Sequence, residues 1–556
     1  MKKWQIRYTS KSKDTGLGFR DIISVLLLNR GLKTQKKIEE YLHPENPYDL
    51  TAKDVDINVS SLKKAVGRIK KAISSHESII VYADYDADGI TAGAIMWETI
   101  HKLGGNVMPY IPDRAEEGYG LSKKGIDSVY KQYKPSLIVT VDHGISAYDK
   151  VEYTKSLGID VVVTDHHMKP KKLPDCTIVH TTIMCGAGVS WFVAKELDPE
   201  HHDELLALAT IGTIADLVPL IGANRAITKF GLAVLNKTSR VGLTALISDA
   251  GLTKGELSTF DISHVIAPRI NAMGRLVHAM DALRLMCTNR EDKAMLLARK
   301  LSLTNKERQQ LTVDTSAHAK GLVQKDASGD VKKLLFIAHE SYNPGIIGLV
   351  AGRLVEEYYR PSVVLSVGEI YSKASARSIT GFNIVDAIRS CSDLLVDVGG
   401  HPMAAGFTVE TKNIDALQRR LEELAEKELD DEKLRRILPI DIALPLSSAT
   451  PDLWQAIQEF EPFGFGNPEP LFSSTGVEVV DTRLVGADGK HMKLKLRQAG
   501  VVVDAIAFGL GKIYPSLRPD QPIDIAYSID MNTWNGSTRL QLKIKDINMP
   551  TRLTNL

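Results

Sequence analysis

Three short runs concentrate the residues that could do chemistry: Asp84-Tyr85-Asp86-Ala87-Asp88-Gly89, Asp142-His143-Gly144 and Asp165-His166-His167. Each follows directly on an apolar run. A single Asp in such a place reads as a turn former or helix cap. Three acidic runs together read differently, because carboxylates gathered in one dry cleft repel one another and a bound cation is the simplest resolution. Carboxylates with imidazoles and no thiolate suit Mn²⁺ or Mg²⁺, and Zn²⁺ fits less well given the carboxylate excess. The carboxylates suffice for two ions sharing one Asp, and two ions about 3.5–4 Å apart are a standard clamp for phosphoryl hydrolysis. A further acid, Asp216, lies in the otherwise apolar stretch from Ile211 to Leu220. Burying a lone Asp is costly, so it calls for a partner such as a metal.

The elements that must position these groups are legible as apolar, β-branched runs. Ile79 to Tyr82, Leu137 to Val141 and Val161 to Thr164 predict strands, and Val107 to Ile111 a fourth whose Pro109 points to a sheet edge. Helical segments fall between them, around 91–103, 122–133 and 146–157. Such alternation predicts a buried parallel sheet covered on both faces. Ligands bind beyond the carboxyl ends of such strands, where the acidic runs would converge. Residues 1 to 50 read as helical and mixed. Residues 205–320 read as mostly helical, with a long charged helix from Glu291 towards Lys325, and a second α/β pattern begins near Lys333. Residues 414–438 read as a charged helix, and from about 471 short strands with Gly and Pro turns predict a small β-barrel. The expected organisation is an N-terminal helical segment over 1–55, a parallel-sheet α/β metal domain over 56–290 and a connecting helix over 291–328. A second α/β, substrate-binding domain over 329–438 and a nucleic-acid-binding β-barrel over 439–556 complete it.

The charge balance excludes two classes. With 69 Lys/Arg against 68 Asp/Glu among 556 residues, the chain is neither a uniformly basic nucleic-acid coat nor an acidic disordered tail. Four cysteines without a Cys-x-x-Cys pair argue against a disulfide framework or zinc ribbon and suggest a reducing compartment. The first residues, Met1-Lys2-Lys3-Trp4, lack a signal-peptide core, and no run of about 18 apolar residues predicts a membrane span. A cytoplasmic protein is expected.

At these residues the chain resembles the DHH phosphoesterase superfamily, named for the motif present as Asp165-His166-His167. Gly399 to Phe407 (Gly-Gly-His-Pro-Met-Ala-Ala-Gly-Phe) matches the signature of its associated second domain. Within the superfamily the chain is similar to the RecJ family of single-strand-specific 5′→3′ exonucleases. The supporting motifs are Pro268 to Arg275, Asn343 to Gly348, Ser375 to Ser378 and Glu461 to Pro468. The resemblance implies that Asp84, Asp86, Asp88, Asp142, His166 and Asp216 ligate two Mn²⁺ (or Mg²⁺), with Asp142 bridging. It implies that His167 and, from the second domain, His401 contact the scissile phosphate. It implies an OB-fold for the C-terminal barrel. Related enzymes often carry a His where Tyr82 stands and a Cys where His143 stands, so the ligand set leans on Asp84 and His143 stands outside it. A monomer acting on single-stranded DNA in repair and recombination, beside a helicase and a single-strand binding protein, is the implied context.

A terminal 5′-phosphate is best held by Arg forks and hydroxyls. Arg377 with Ser375 and Ser378 fits that task, as does Arg353, while Arg275, following Asn271, would reach the backbone near the metals. In the loop 113–120, Arg114 would contact phosphate, and Tyr119 reads either as a base-stacking ring or as part of a plain turn. In the barrel, Lys490, Lys493, Lys495 and Arg497 with Phe508, Tyr514, Tyr527 and Trp534 read either as a strand-binding surface or as a solvated face. Two other functions stay open: a phosphodiesterase for short oligonucleotides or cyclic dinucleotides, and an inactive single-strand-binding scaffold.

Overall fold

The computed structural model describes residues 2–8, 18–114, 116–200, 203–325, 329–518, 521–534 and 536–549. Two compact units emerge, one of Asn46–Pro219 with Ala223–Arg435, the other of Met1–Glu45, Leu220–Gly222 and Arg436–Leu556.

The larger unit opens with β1 (Ser78–Ala83), α1 (Ala87–Lys102), β2 (Asn106–Tyr110), β3 (Leu137–Val141), β4 (Asp160–Asp165) and β5 (Thr177–His180). The strands form one parallel sheet in the order β2-β1-β3-β4-β5. Residues of β3 are buried on both faces, which is why these strands read as continuous apolar runs. Pro109 occupies edge strand β2, where its missing N–H breaks no ladder. Register matters most here. Ala83 lies opposite Val141, and Val141 opposite Thr164. The next residues, Asp84, Asp142 and Asp165, therefore leave the same sheet edge side by side.

Helices α2 (Gly186–Leu197) and α3 (Asp203–Ala215) pack on α1, and the core closes around Trp191, Phe192 and Ile90. Downstream come α4 (Ala267–Leu276) and α5 (Glu291–Gly321). The 31 residues of α5 span roughly 46 Å at helical rise, as expected of a connecting helix. The second domain contains β6 (Leu335–His339), α6 (Ile347–Tyr358), β7 (Ser362–Ser366), β8 (Tyr371–Arg377), β9 (Leu395–His401) and β10 (Ala404–Glu410). Its mixed sheet runs β9-β10-β8-β7-β6, with only β6 and β7 parallel. The charged segment beyond it folds as the helix Ile414–Glu428, burying Leu417 and Leu421.

In the smaller unit, strands Phe472–Val485, His491–Gln498, Val501–Ala507, Ser537–Asn548 and Ile523–Trp534 close on themselves, the first pairing with the last. This is the expected small barrel. The N-terminal segment is helical over Phe19–Asn29 and Gln35–Leu42, but Lys3–Tyr8, read as part of a helical segment, is a strand parallel to Ile437–Ala443, and Ile22, Leu26 and Tyr41 join the barrel's core. Strand pairing across such a separation leaves no local signal. Among the described residues, no helix is long and apolar enough to cross a membrane.

Candidate metal centre

Asp84 is the first residue past β1, and Asp86 caps α1 by accepting from the N–H groups of Asp88 and Gly89, both at 3.0 Å. Asp88 lies in the first turn of α1. Its two carboxylate oxygens accept from backbone N–H groups at the start of α2, from Gly186 at 2.6 Å and Ala187 at 2.8 Å. The positive end of a helix thus holds this buried acid. Asp142 follows β3 with φ of 66°, a left-handed conformation uncommon for a residue with a side chain.

Three trios of side chains come within coordinating reach of one point: Asp84, Asp86 and Asp142; Asp88, His166 and Asp216; and Asp142, His166 and His167. His166 Nε2 stands 3.2 Å from Asp142, 3.7 Å from Asp216 and 3.9 Å from Asp88. All six residues expected as ligands therefore converge. Oδ1 of Asp84 and of Asp142 are buried and lack a hydrogen-bond partner, the condition a cation relieves. Burial raises the pKa of Asp84 well above the carboxylate range, with Asp86 adding to it, and raises Asp142 likewise, reinforced by Asp88, Asp86 and Asp84. Burial with Asp88 and Asp86 pushes Asp216 up to about 8. A set of five carboxylates and one imidazole fits a divalent ion such as Mn²⁺ or Mg²⁺.

Asp165 behaves differently. Burial opposes its ionisation, yet it accepts from the N–H of Ile145, His166 and His167 and from the His167 ring at 2.8 Å, and these hold it below the carboxylate range. Its oxygens are spent on shaping the turn. Against the effect of burial, the bond to Asp165 raises His167 to about 9. Tyr119 donates toward the Asp142 carbonyl at 3.1 Å and lies 3.2 Å from His167 Nε2. Its hydroxyl is thus engaged at the metal centre, an arrangement the sequence did not disclose. Burial lowers His143 to about 4, and its Nε2 meets the Tyr82 carbonyl, so this neutral ring supports the sheet edge.

A cleft of about 200 Å³ opens on Asp84 and Asp86 and is walled by Arg114, Tyr119, Asn271 and Arg275. Asn271 accepts from the N–H of Ala87, tying α4 to the start of α1. Arg114 and Arg275 also line an adjoining cleft of about 530 Å³, together with Asn343, Ser375 and Arg377. Arg377 donates to the Ser375 hydroxyl at 3.2 Å. Burial lowers Arg275 to about 10, and Arg114, Arg308 and Arg377 contribute repulsion. The guanidiniums stay charged. Their crowding is a positive potential awaiting anions.

Three expected residues stand elsewhere. The Ser378 hydroxyl is buried and donates to the Phe382 carbonyl. Arg353 lies outside both clefts and faces Arg308 on α5. His401, at the end of β9, is exposed and also outside both. Arg308 stands on the long charged helix α5, and its Nε is buried without a partner. In the barrel, Lys493, Lys495 and Arg497 share the exposed face of their strand. Phe508 is exposed, Tyr527 is buried in the core, and the side chain of Trp534 lies outside what the structure describes.

Three family models match separate parts of the chain. Family models match for the DHH family, N-terminal domain, over residues 78–213, for the DHHA1 domain over 330–427 and for the RecJ OB domain over 440–546. The single-stranded-DNA-specific exonuclease RecJ of Bacillus subtilis is 36% identical across 98% of this chain and 70% of its own. Its Escherichia coli counterpart is 30% identical across 97% of this chain and 98% of its own. The crystal structure of RecJ in complex with Mn²⁺ from Thermus thermophilus superposes with a TM-score of 0.82, at 30% identity, covering 99% of this chain and 80% of that one.

Proposed function

The chain belongs to the RecJ family of single-stranded-DNA-specific exonucleases, and from that premise we propose that it degrades single-stranded DNA from the 5′ end, releasing 5′-mononucleotides. The observation that carries this reading is the continuity of the two clefts through Arg114 and Arg275. A strand whose scissile phosphate lies over Asp84 and Asp86 would bring its terminal phosphate within range of Arg377 and Ser375. Asp84, Asp86, Asp88, Asp142, His166 and Asp216 would hold two divalent ions, with Asp142 between them. Such ions, when bound, polarise a phosphoryl oxygen and lower the pKa of an attacking water.

The protein's own groups do the rest. Arg275 and Arg114 hold the backbone, which fixes the register of the scissile bond. His167, oriented by Asp165, would face the developing negative charge. His401 would join the phosphate only through a movement of its hairpin. The barrel face of Lys493, Lys495 and Arg497 would bind single-stranded DNA by sequence-tolerant contacts. The barrel argues against a short-oligonucleotide phosphodiesterase, and the full carboxylate set argues against an inactive scaffold. We place the enzyme in the cytoplasm, in DNA repair and recombination.

The test uses 5′- and 3′-labelled single strands, with and without a 5′-phosphate, and a duplex control, all in Mn²⁺. Early release of labelled mononucleotide from the 5′-labelled strand alone is expected. Early release from the 3′ label, or equal digestion of the duplex, would overturn the reading.

A further inference from the structure

The loop after β2 carries three carboxylates near Arg114, at Asp113, Glu116 and Glu117. A carboxylate three residues away is a natural ion partner for a guanidinium, yet Arg114 forms no salt bridge among the described residues. All three acids have other partners, Asp113 accepting from the N–H of Glu116 at 3.0 Å. Glu116 pairs with Lys124 at 2.5 Å. Glu117 accepts the Tyr110 hydroxyl at 3.0 Å on each oxygen and the N–H of Asp113 at 3.1 Å, while its own N–H bonds back to the Asp113 carbonyl at 2.8 Å. The enclosure is tight: a Cβ built on Gly125 would fall 2.4 Å from Glu117 Oε2 and 2.2 Å from the Tyr82 hydroxyl. The Arg114 guanidinium meanwhile lies 5.2 Å over the Tyr85 ring and lines both clefts.

We propose that the Tyr110–Glu117 clamp is a positioning device that withholds the Glu117 carboxylate from Arg114 and so keeps Arg114 available for a DNA phosphate. Tyr110 and Glu117 are positioning residues, acting through Arg114. Tyr110 is suited to the task because it ends an edge strand, where its ring is fixed against Tyr82 at 4.8 Å between centroids. A carboxylate released from the phenol would gain more from a bare guanidinium than from water. The substrate would then have to compete with an internal anion.

The inference rests on the proposed reading of Arg114 as a phosphate contact, and the experiment separates the two. Steady-state kinetics on 5′-phosphorylated single strands in Mn²⁺ are compared for wild type, Arg114→Ala, Tyr110→Phe and Tyr110→Phe/Glu117→Gln. Tyr110→Phe is expected to raise KM about tenfold with kcat nearly unchanged, the size of one charge-assisted contact. Adding Glu117→Gln, which cannot form the ion pair, is expected to restore KM to within about threefold of wild type. A clamp that only shapes the loop predicts no rescue, so a double variant as poor as Tyr110→Phe overturns the inference, as does an unchanged KM in Tyr110→Phe. If Arg114→Ala itself leaves KM unchanged, the reading of Arg114 fails first. Circular dichroism melts of each variant confirm that the fold is intact.

Discussion

His166 Nε2 lies 3.2 Å from Asp142 Oδ1, and this pair joins the trio on the β1 side to the trio reaching α3. Asp142 belongs to two of the three trios. Its removal should therefore disorganise both ion positions at once. Asp142→Ala is expected to lower turnover by at least about a thousandfold, the loss of more than about 4 kcal/mol of transition-state stabilisation. Single-strand binding in a filter or anisotropy assay should survive, because the arginines remain. Turnover within tenfold of wild type would sink the shared role of Asp142.

Stability without metal should fall as pH rises from about 6.5 to 9. Asp216 has a folded pKa raised to about 8, so its contribution is full below its unfolded value and is lost as pH climbs through 8. His167, raised to about 9, loses its contribution in the same direction. His143, lowered to about 4, already contributes fully above 6.5. Thermal melts in chelator should show this decline, and Mn²⁺ should stabilise more at pH 8 than at pH 6.5. A metal-free melting temperature that rises across this window contradicts the assignment.

Gly186→Ala tests how α2 supports the centre. A Cβ there would lie 2.4 Å from Asp142 Oδ1 and 2.5 Å from Asp142 Cβ. Backbone shift of the α2 start would also loosen the two N–H bonds to Asp88. A loss of about 10–100-fold in Mn²⁺ affinity by calorimetric titration is expected, the range for groups that orient metal ligands. Unaltered affinity would show that the helix start can yield without disturbing either acid.

Arg377→Ala and Arg308→Ala should differ in kind. Arg377 lines the cleft with Ser375, so its loss should cost about tenfold or more in KM on 5′-phosphorylated strands and far less on 5′-hydroxyl strands. Arg308, on α5, adds positive potential at Arg275 but lines neither cleft, so its loss should weaken both substrates alike and lower the salt dependence of binding. Equal effects of Arg377→Ala on both ends would remove it from end recognition.

The acidic strand ends were legible because a parallel sheet delivers successive carboxyl ends to one edge, so apolar runs followed by Asp suffice to locate the centre. The order of sheet, long helix, mixed sheet and barrel was legible for the same reason of period and length. What escaped was whatever depends on backbone groups or on distant pairing. The N–H groups of Gly186 and Ala187 that hold Asp88 have no side-chain signature. Arg308 sits in a helix whose charge conceals one inward face. Ser378 carried the right hydroxyl in the right motif, but the turn spends it on the Phe382 carbonyl. Tyr119 was considered for its ring, while its hydroxyl makes the contact with Asp142 and His167.

The pairing of Lys3 with Ile437 also sets a timetable. At about 5–20 residues per second, a ribosome would deliver the second strand roughly 20–90 s after the first. During that interval residues 46–435, which have their own sheets and cores, can fold while the leading strand waits with an unsatisfied edge. Of the two units, the barrel unit is thus begun first and completed last. Translation pauses or truncations near either end should leave a competent metal centre beside an incomplete barrel, and newly made chains caught in that state would be the ones most prone to pair with one another.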